Sequence, residues 1–227
     1  MDADRLRIIR GDYDLIAHDY AVNIGNELAA KPFDCELLAR FAAAISRRGG
    51  VCELGCGPGH VSRFLRDLGA GIFGLDLSPG MVEEARGLNP DIDFRIGDML
   101  ALPLPGQSLA GIVSFYSIVN FPLESLPVVF AEMYRVLQPG GLLLLAFHIG
   151  NEVLRPAELW GRPISMEFIH HPPLKILELL RQAGFAIDEM LEREPYAPDV
   201  EYQSRRAYIL ARKLEPGSEM NRSEPAR

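Results

Sequence analysis

The sequence predicts an α/β fold in which helices cover both faces of a doubly wound parallel sheet. Two observations favour this fold. Short apolar runs without polar alternation recur along the chain, and amphipathic stretches with helical spacing separate them. Strands buried on both faces have this pattern, because the crossover helices of a parallel sheet pack on both of its sides.

The strands are predicted at apolar runs that end near glycine, proline or a polar turn. The first, residues 51–54, is short and is closed by Gly55. Four similar runs follow before residue 148, and two further strands are predicted near the C-terminus. These six runs lie at residues 71–75, 92–96, 112–115, 142–147, 185–193 and 205–212.

The helices are predicted from apolar residues spaced three and four apart. Val61, Phe64 and Leu65 begin such a pattern in residues 60–68. Ser78-Pro79 predicts an N-cap with proline at the first helical position. The other predicted helices lie at residues 36–45, 81–86, 126–137 and 174–182.

Two regions fall outside the alternation of strands and helices. Residues 1–46 have helical patterns and precede the α/β domain, which is predicted over residues 47–214. Residues 149–173 are irregular, contain several prolines and are predicted to form an insertion. The polar tail at residues 215–227 is expected to be disordered.

Composition limits the possible partners. The chain of 227 residues has 48% hydrophobic and 24% charged residues, which is ordinary for a globular protein. Its net charge of −8 and its lack of a long basic run argue against a nucleic-acid partner. No apolar run approaches the ~20 residues of a membrane-spanning helix, so no membrane partner is expected. Three cysteines, an odd number, favour free thiols in a cytoplasmic protein.

The strongest single motif is the glycine-rich segment after the first strand. It contains Gly55, Gly57 and Gly59 at alternate positions and opens the predicted helix at His60. Glycines let the backbone turn tightly and let a ligand approach the main chain. A dinucleotide fingerprint requires glycine where His60 stands, and a P-loop requires a Gly-Lys-Ser/Thr triplet that this loop does not contain. The segment therefore favours a nucleotide-like ligand that is not held by either phosphate-binding signature.

Two acidic residues follow the next two strands. Asp76 ends the second strand, where a carboxylate can accept hydrogen bonds from both hydroxyls of a ribose. Alternatively, Asp76 caps the helix that follows it. Asp98 comes after the third strand and can accept from an adenine amino group, while Met99 and Leu100 pack against the ring. A Gly-Asp pair is also common in ordinary turns.

Four sequence blocks together resemble the class I S-adenosylmethionine-dependent methyltransferases. They are E-L-G-C-G-P-G, G-L-D-L-S-P-G-M-V-E-E-A-R, G-D-M-L-A-L-P and L-Q-P-G-G-L-L-L-L-A. They keep the family's order and spacing over residues 50–148. The resemblance implies a Rossmann-like sheet of seven strands with an antiparallel last strand at residues 205–212. It also implies that residues 1–46 are the N-terminal helical lid of a branch that methylates small molecules.

The resemblance further implies a site for the cofactor S-adenosylmethionine. Its methionine half would lie against the glycine loop, its ribose against Asp76, and its adenine against Leu77, Asp98 and Met99. Ser114 would lie near the carboxypropyl chain. The residues assigned to the cofactor are Tyr20, Glu53, Gly55, Cys56, Gly57, Gly59, Asp76, Leu77, Met81, Asp98, Met99, Leu100 and Ser114.

The segment after the fourth strand limits the reaction. Family members that methylate adenine or glutamine amino groups carry N/D-P-P-Y/F here, and this chain does not. The metal-dependent branch that methylates catechols has acidic ligands near this point, which Ser114 and Tyr116 cannot replace. These departures favour a metal-independent enzyme that transfers a methyl group to an oxygen or nitrogen of a small-molecule acceptor.

Candidate acceptor-side residues lie at the carboxyl edge of the sheet and in the two irregular regions. His148 follows the fifth strand as a candidate general base, or as an ordinary polar residue at a strand exit. Tyr116 is a second catalytic candidate because of its position. The aromatic candidates could instead pack the lid onto the core. Four residues are expected to contact the acceptor. One is in the lid, one follows the fourth strand, and two are in the substrate-side insertion at residues 149–173: Tyr13, Asn120, Trp160 and His170.

Two other functions stay open from the sequence. A nicotinamide-dependent oxidoreductase or epimerase uses a similar sheet, but it predicts glycine at the position of His60 and a Tyr-x-x-x-Lys pair, and both are missing. A protein that binds the cofactor without catalysis would have the same motifs. The sequence does not identify the acceptor or the oligomeric state.

Overall fold

The structure is a computed structural model that describes residues 1–45 and 48–215. Its main sheet has seven strands in the order β10-β11-β5-β4-β1-β2-β3. Strand β11 pairs antiparallel with β5 and β10, whereas the other pairs are parallel. The seven strands are β1 Val51–Leu54, β2 Ile72–Asp76, β3 Asp93–Ile96, β4 Leu109–Phe115, β5 Leu137–His148, β10 Phe185–Arg193 and β11 Arg206–Lys213. The predicted doubly wound, Rossmann-like sheet with an antiparallel last strand is confirmed.

Six α-helices pack around the sheet. The apolar faces of α2 and α3 lie in one buried cluster with β1 and β4, and those of α5 and α6 lie in another. The helices are α1 Ala3–Ile24, α2 Pro32–Ile45, α3 His60–Asp67, α4 Pro79–Leu88, α5 Leu126–Val136 and α6 Pro173–Gln182. No helix within these described ranges has the length and apolar character needed to span a membrane.

The fifth strand is longer than predicted. The Pro139-Gly140-Gly141 segment was expected to separate helix from strand, but it lies inside β5. The pairing of β4 with β5 shifts register there, from Leu109 opposite Leu137 to Gly111 opposite Leu142. Gly140 has a φ of 74°, a conformation that glycine adopts without strain. The Pro139-Gly140-Gly141 segment therefore forms an irregularity inside β5 and does not mark the start of the strand.

The predicted irregular insertion at residues 149–173 contains two small antiparallel pairs. Strand β6 (Val153–Leu154) pairs with β9 (Phe168–Ile169), and β7 (Glu158–Leu159) pairs with β8 (Arg162–Pro163). Of the tail predicted from residue 215, all but Glu215 lies outside the described residues.

Helix α1 joins the insertion to the α/β core. Asp12 accepts backbone hydrogen bonds from Ser165 and Met166 at 2.6 and 2.7 Å, and Arg5 pairs with Glu167 at 2.6 Å. On its other side α1 packs against α4. These contacts place α1 across the carboxyl edge of the sheet.

Candidate functional site

Two adjoining cavities lie at the carboxyl ends of β1 and β4. These strands are neighbours at the point where the sheet switches direction, since β2 and β3 extend it on one side and β5 extends it on the other. Such a switch point is where open α/β sheets bind ligands. Cavity I, of about 760 Å³, extends from the glycine loop towards β2 and β3. Cavity II, of about 710 Å³, extends towards β5 and β11. The residues that line both are Tyr20, Gly55, Gly57, Phe115 and Tyr116.

The backbone of the glycine loop explains its composition. Gly55, Gly57 and Gly59 have φ values of 67°, 50° and 82°, which side chains rarely tolerate. A Cβ atom on Gly55 would lie 2.4 Å from Cβ of Ser117, and one on Gly59 would lie 2.6 Å from Cζ of Phe94. A side chain at Gly55 or Gly59 would therefore collide with its neighbours, so both positions require glycine.

Asp76 connects this loop to helix α4. Its Oδ2 accepts from the backbone N–H of Gly57 at 2.8 Å, and its Oδ1 accepts from that of Ser78 at 2.9 Å. Ser78 is the N-cap of α4 and accepts from the N–H of Met81. Burial raises the pKa of the Asp76 carboxyl. Because each carboxylate oxygen has two lone pairs, both can still accept from hydroxyl groups in cavity I.

Most of the residues predicted to bind the cofactor line cavity I. They are Tyr20, Gly55, Gly57, Asp76, Leu77, Met81, Asp98 and Met99. Asp98 also accepts from the N–H of Leu100 at 2.8 Å, which places Leu100 in a turn that packs against the core. Ser114 is fully buried and contacts Oγ of Ser117 at 2.7 Å. Ser117, which the sequence did not single out, lines the cavity in its place.

The other predicted cofactor residues lie at the loop or in cavity II. Glu53 and Cys56 line cavity II, and Gly59 is the N-cap of α3 in a left-handed conformation. Glu53 is 2% exposed and accepts a hydrogen bond from Ser62 at 2.5 Å. Burial raises the pKa of Glu53 to about 7.

At cavity I, a hydrogen bond connects helix α1 to the core. The hydroxyl of Tyr13 donates to Oδ1 of Asn120 at 2.9 Å, and Nδ2 of Asn120 donates to the carbonyl of Glu167 at 2.7 Å. Tyr13 and Asn120 both line the cavity. Trp160 lines neither cavity and packs edge-on against Tyr20, with ring centroids 5.5 Å apart. The Trp160 ring therefore packs against α1.

Cavity II is lined by charged side chains that pair with one another. Nζ of Lys31 lies 2.5 Å from Glu27 and 3.3 Å from Glu201, and Nε of Arg206 lies 3.2 Å from Glu201. Burial favours the protonated form of Glu27, but hydrogen bonds from His60 and Lys31 lower its pKa to about 2. Burial acts in the same direction on Glu201, yet its bonds to cations lower its pKa to about 2 as well. The carboxylates are therefore ionised at neutral pH.

The two catalytic candidates lie in cavity II. Tyr116 has a φ of 57°, and its hydroxyl bonds to Asp34 at 3.1 Å and to the Tyr208 hydroxyl at 2.7 Å. His148 is tilted against Tyr116 and stacks on His170, whose ring centroid is 5.3 Å away. Burial, together with the charge of Arg206, lowers the pKa of His148 to about 3. The imidazole of His148 is therefore neutral at physiological pH, and His170 contacts it without lining either cavity.

The sequence did not single out the charged residues of cavity II or the network behind them. Asp34 is fully buried and accepts from Arg193 at 2.9 Å, besides Tyr116 and Tyr208. Lys31 and Asp34 belong to a Lys-Pro-Phe-Asp stretch whose letters gave no role. No local pattern marks Arg206, because its neighbour Arg205 is exposed and reads identically.

Comparisons with known proteins agree with this geometry. The family described as a methyltransferase domain matches residues 51–141. A malonyl-[acyl-carrier protein] O-methyltransferase from Serratia marcescens is 33% identical over 110 residues, 48% of this chain and 42% of that protein. A 2-methyl-6-phytyl-1,4-hydroquinone methyltransferase from Synechocystis sp. is 29% identical over 187 residues, 74% of this chain and 56% of that protein. The chain spans about half the length of these curated relatives.

Solved structures show the same fold. Magnesium protoporphyrin IX methyltransferase from Synechocystis PCC 6803, solved with bound S-adenosylmethionine, has a TM-score of 0.66 at 19% identity. The match covers 94% of this chain and 100% of that one. The matched family region contains the glycine loop, Asp76 and Asp98, which meet at the switch point of the sheet. Residues 51–141 thus form a methyltransferase domain, and the chain is similar in sequence and fold to S-adenosylmethionine-dependent methyltransferases.

Proposed function

We propose that this protein transfers a methyl group from S-adenosylmethionine to a small-molecule acceptor, without a metal ion. The observation that carries the proposal is the junction of the two cavities at Gly55 and Gly57. A ligand that follows the loop passes from cavity I into cavity II. The methyl group would lie at this junction, with the cofactor on one side and the acceptor on the other.

The residues of cavity I fit the adenosine of this cofactor. Asp76 would accept from the ribose hydroxyls, Leu77 and Met99 would pack on the adenine, and Asp98 would accept from its amino group. Glu53, in cavity II, would attract the ammonium group of the methionine part. The cofactor supplies a methyl group bonded to a positively charged sulfur. The protein holds the acceptor in line with this group and excludes water.

A small acceptor is supported by the volume of cavity II, about 710 Å³, and by the relatives. The two curated relatives reported above are named for an acyl-carrier-bound malonyl group and a hydroquinone. Metal-independence is supported by the donor set, because Ser114 at the end of β4 and Tyr116 directly after it stand in place of acidic ligands. Free thiols at all three cysteines support a cytoplasmic location.

Calorimetry with S-adenosylmethionine, S-adenosylhomocysteine and NAD tests this proposal. We expect the first two to bind at micromolar affinity and NAD not to bind. Asp76→Ala removes a charged hydrogen-bond acceptor from the ribose, so the affinity should fall about a hundredfold. Asp67→Ala, on the exposed side of α3, is the control that should keep the affinity. Binding of NAD alone would assign the glycine loop to the dinucleotide class and contradict the proposal.

A second arm separates an enzyme from a protein that only binds the cofactor. The wild-type protein with radiolabelled S-adenosylmethionine is incubated with panels of small acids, amines and phenols. We expect transfer of label to at least one panel, with S-adenosylhomocysteine as the second product. Tight cofactor binding without transfer to any panel would favour the binding function.

A further inference from the structure

A chain of three hydrogen-bonding groups ends at the imidazole of His148. Nη1 of Arg206 donates to Oγ of Ser204 at 3.1 Å, and Oγ of Ser204 lies 2.7 Å from Nδ1 of His148. Arg206 is only 2% exposed, and its other guanidinium nitrogens are held by the Tyr202 carbonyl and the Glu201 carboxylate. The direction of this chain is fixed at its first member, because a guanidinium group can only donate.

This direction determines which nitrogen of His148 carries the proton. Ser204 accepts from Arg206, and its hydroxyl hydrogen then has one available acceptor among the described residues, which is Nδ1 of His148. In the opposite arrangement Nδ1 would donate to Ser204, and the serine hydrogen would have no protein partner. A neutral imidazole whose Nδ1 accepts must carry its hydrogen on Nε2.

The Nε2–H group of His148 is available to a ligand. The ring lines cavity II between Tyr116 and His170, and within the described part of the chain Nε2 has no hydrogen-bond partner. The imidazole stays neutral because burial and the charges of Arg206 and Lys31 oppose its protonation, so the pKa of His148 is about 3. It therefore presents a hydrogen-bond donor to cavity II, while its one ring lone pair, on Nδ1, is engaged by Ser204.

The surroundings of His148 determine what this donor can bind. The titratable or charged groups that face it are Lys31, Tyr116, His170, Glu201, Tyr202 and Arg206. Of these, Glu201 is the group whose charge favours protonation of His148, and it is shared by Lys31, Arg193 and Arg206. At the His148 ring the charges of Arg206 and Lys31 outweigh that of Glu201, so an N–H donor at this position fits an oxygen that carries negative charge.

We propose that His148 is a positioning residue that donates Nε2–H to a carboxylate of the acceptor, and that the product is a methyl ester. This inference rests on the proposed function. One carboxylate oxygen forms a bond to the methyl carbon, the carbon–sulfur bond breaks, and its electron pair stays on sulfur. The anion and the sulfonium give a neutral ester and a neutral thioether. No proton moves, so a histidine that cannot act as a base is sufficient.

The tautomer of His148 is tested by nitrogen-15 NMR of histidine-labelled protein saturated with S-adenosylhomocysteine. The His148→Gln spectrum assigns the resonances by difference. We expect a protonated Nε2 and an unprotonated Nδ1 at pH 7, and Ser204→Ala should shift His148 towards the mixture of a free imidazole. Ser108→Ala, whose hydroxyl bonds to a carbonyl at the other end of the sheet, is the matched control. A protonated Nδ1 in the wild-type protein would overturn the proposal.

The carboxylate is tested by adding linear monocarboxylates from acetate to octanoate, and benzoate, to the same sample. At least one acid should shift the Nε2 resonance, and its primary amide and amine should not. With S-adenosylmethionine, that acid should give a base-labile methyl ester. A shift with amines alone, transfer to nitrogen, or no response to any acid would overturn the carboxylate assignment. Loss of cofactor binding in calorimetry would instead contradict the proposed function, so the two failures are distinct.

Variants of His148 separate a hydrogen-bond donor from a base. His148→Gln keeps an N–H near the position of Nε2 and cannot take up a proton at neutral pH, whereas His148→Ala loses both properties. We expect the alanine variant to lose about ten- to a hundredfold in rate with the responding acid, and the glutamine variant to recover most of it. At saturating cofactor, the wild-type kcat should stay constant between about pH 5.5 and 8, because His148 stays neutral over this range. Equal losses in both variants, or a kcat that falls through a histidine pKa, would overturn the donor role.

Discussion

Cavity I and cavity II share five lining residues, but their other walls come from different parts of the chain. Cavity I is completed mainly by the ends of β2 and β3 and by the start of α4, within the matched family region, and one wall is added by Met1, Ile9 and Tyr13. Cavity II is completed by residues far apart in the sequence, among them Lys31, His148, Glu201 and Arg206. The cavity proposed for the cofactor is thus mostly local in sequence, and the cavity proposed for the acceptor is assembled by tertiary structure.

The two cavities also differ in electrostatics. Cavity I has carboxylates that bond to backbone N–H groups, as Asp76 does with Gly57 and Ser78. Cavity II has ionised side chains that bond to each other, as Lys31 and Arg206 do with Glu201. Most substitutions leave a backbone N–H in place, since only proline lacks it, whereas a side-chain partner is lost with its residue. If cavity II holds the acceptor, as proposed, substitutions of its charged residues should change acceptor preference.

The largest effect is expected from the network behind cavity II. Asp34 accepts hydrogen bonds from Tyr116, Tyr208 and Arg193 and is fully buried. Asp34→Ala leaves these donors without their shared acceptor, so the free energy of unfolding should fall by about 3 kcal/mol. Denaturant unfolding measures the change, and calorimetry should show that S-adenosylmethionine still binds.

Asp188→Ala is the matched control for Asp34→Ala. Asp188 lies on β10 and pairs with Arg212 at 2.6 Å near the surface. Exposed pairs of this kind contribute about 0–1 kcal/mol, so the control should change stability little. Similar losses in the two variants would show that the buried network is not special and would weaken the comparison of the cavities.

A smaller effect is expected at Glu53, where stability and cofactor binding should change in opposite directions. Burial raises the pKa of Glu53 to about 7 in the folded protein, above its ordinary value of 4.5. The fold therefore favours the protonated carboxyl, and the stability that this group contributes is lost as the pH rises from the unfolded pKa through 7. Glu53→Gln should raise the free energy of unfolding by about 2–3 kcal/mol at pH 8 and hardly at all at pH 4.

The same variant should weaken cofactor binding. An ionised Glu53 attracts the ammonium group of S-adenosylmethionine, so the affinity of the wild-type protein should rise between about pH 6 and 8. Glu53→Gln should lose about tenfold at pH 8 and lose most of this pH dependence. Glu124→Gln, at an exposed position, is the control for both measurements. An affinity that is independent of pH in the wild-type protein would separate Glu53 from the cofactor.

The difference between the cavities also explains what could be predicted from the sequence. The glycine loop and Asp76 were found because their geometry depends on neighbours within a few residues, where spacing is informative. Arg205 and Arg206 are adjacent and chemically identical, yet the first is exposed and the second is buried at cavity II. Only the antiparallel pairing of β11 with β5 decides which of them faces the site, since it places Arg206 opposite His148.

The boundaries of β4 and β5 could not be predicted from the sequence for a related reason. The segment Pro139-Gly140-Gly141 has the composition of a break, but the register shift opposite Leu109 and Gly111 absorbs it into β5. Similarly, Ser114 and Ser117 are both plausible cavity residues in the sequence. The left-handed backbone at Tyr116 turns the chain after β4, so Ser117 lines cavity I and Ser114 stays buried. Such local conformations depend on packing and not on residue type alone.

The smallest effect is expected at the contact between the lid and α4. Oδ1 of Asp14 accepts from the Ser78 hydroxyl at 2.6 Å and from the Gly80 N–H at 2.8 Å, at the positive end of α4. Asp14→Ala removes this contact next to Asp76 without touching either cavity wall. We expect hydrogen exchange in residues 10–35 to become about fivefold faster in the free protein, since a helix-terminus contact of this kind contributes about 1 kcal/mol.

Bound S-adenosylmethionine should remove most of the difference between Asp14→Ala and the wild-type protein. In the wild-type protein, residues 10–35 should be less protected without the cofactor than with it, because Tyr13 and Tyr20 line cavity I and would contact the ligand. Asp4→Ala is the control, since Asp4 lies at the exposed start of α1 and pairs only with Arg7. Equal protection with and without the cofactor would show that α1 is a fixed wall of cavity I. Both cavities would then be preformed, and their difference would lie in their chemistry and not in their mobility.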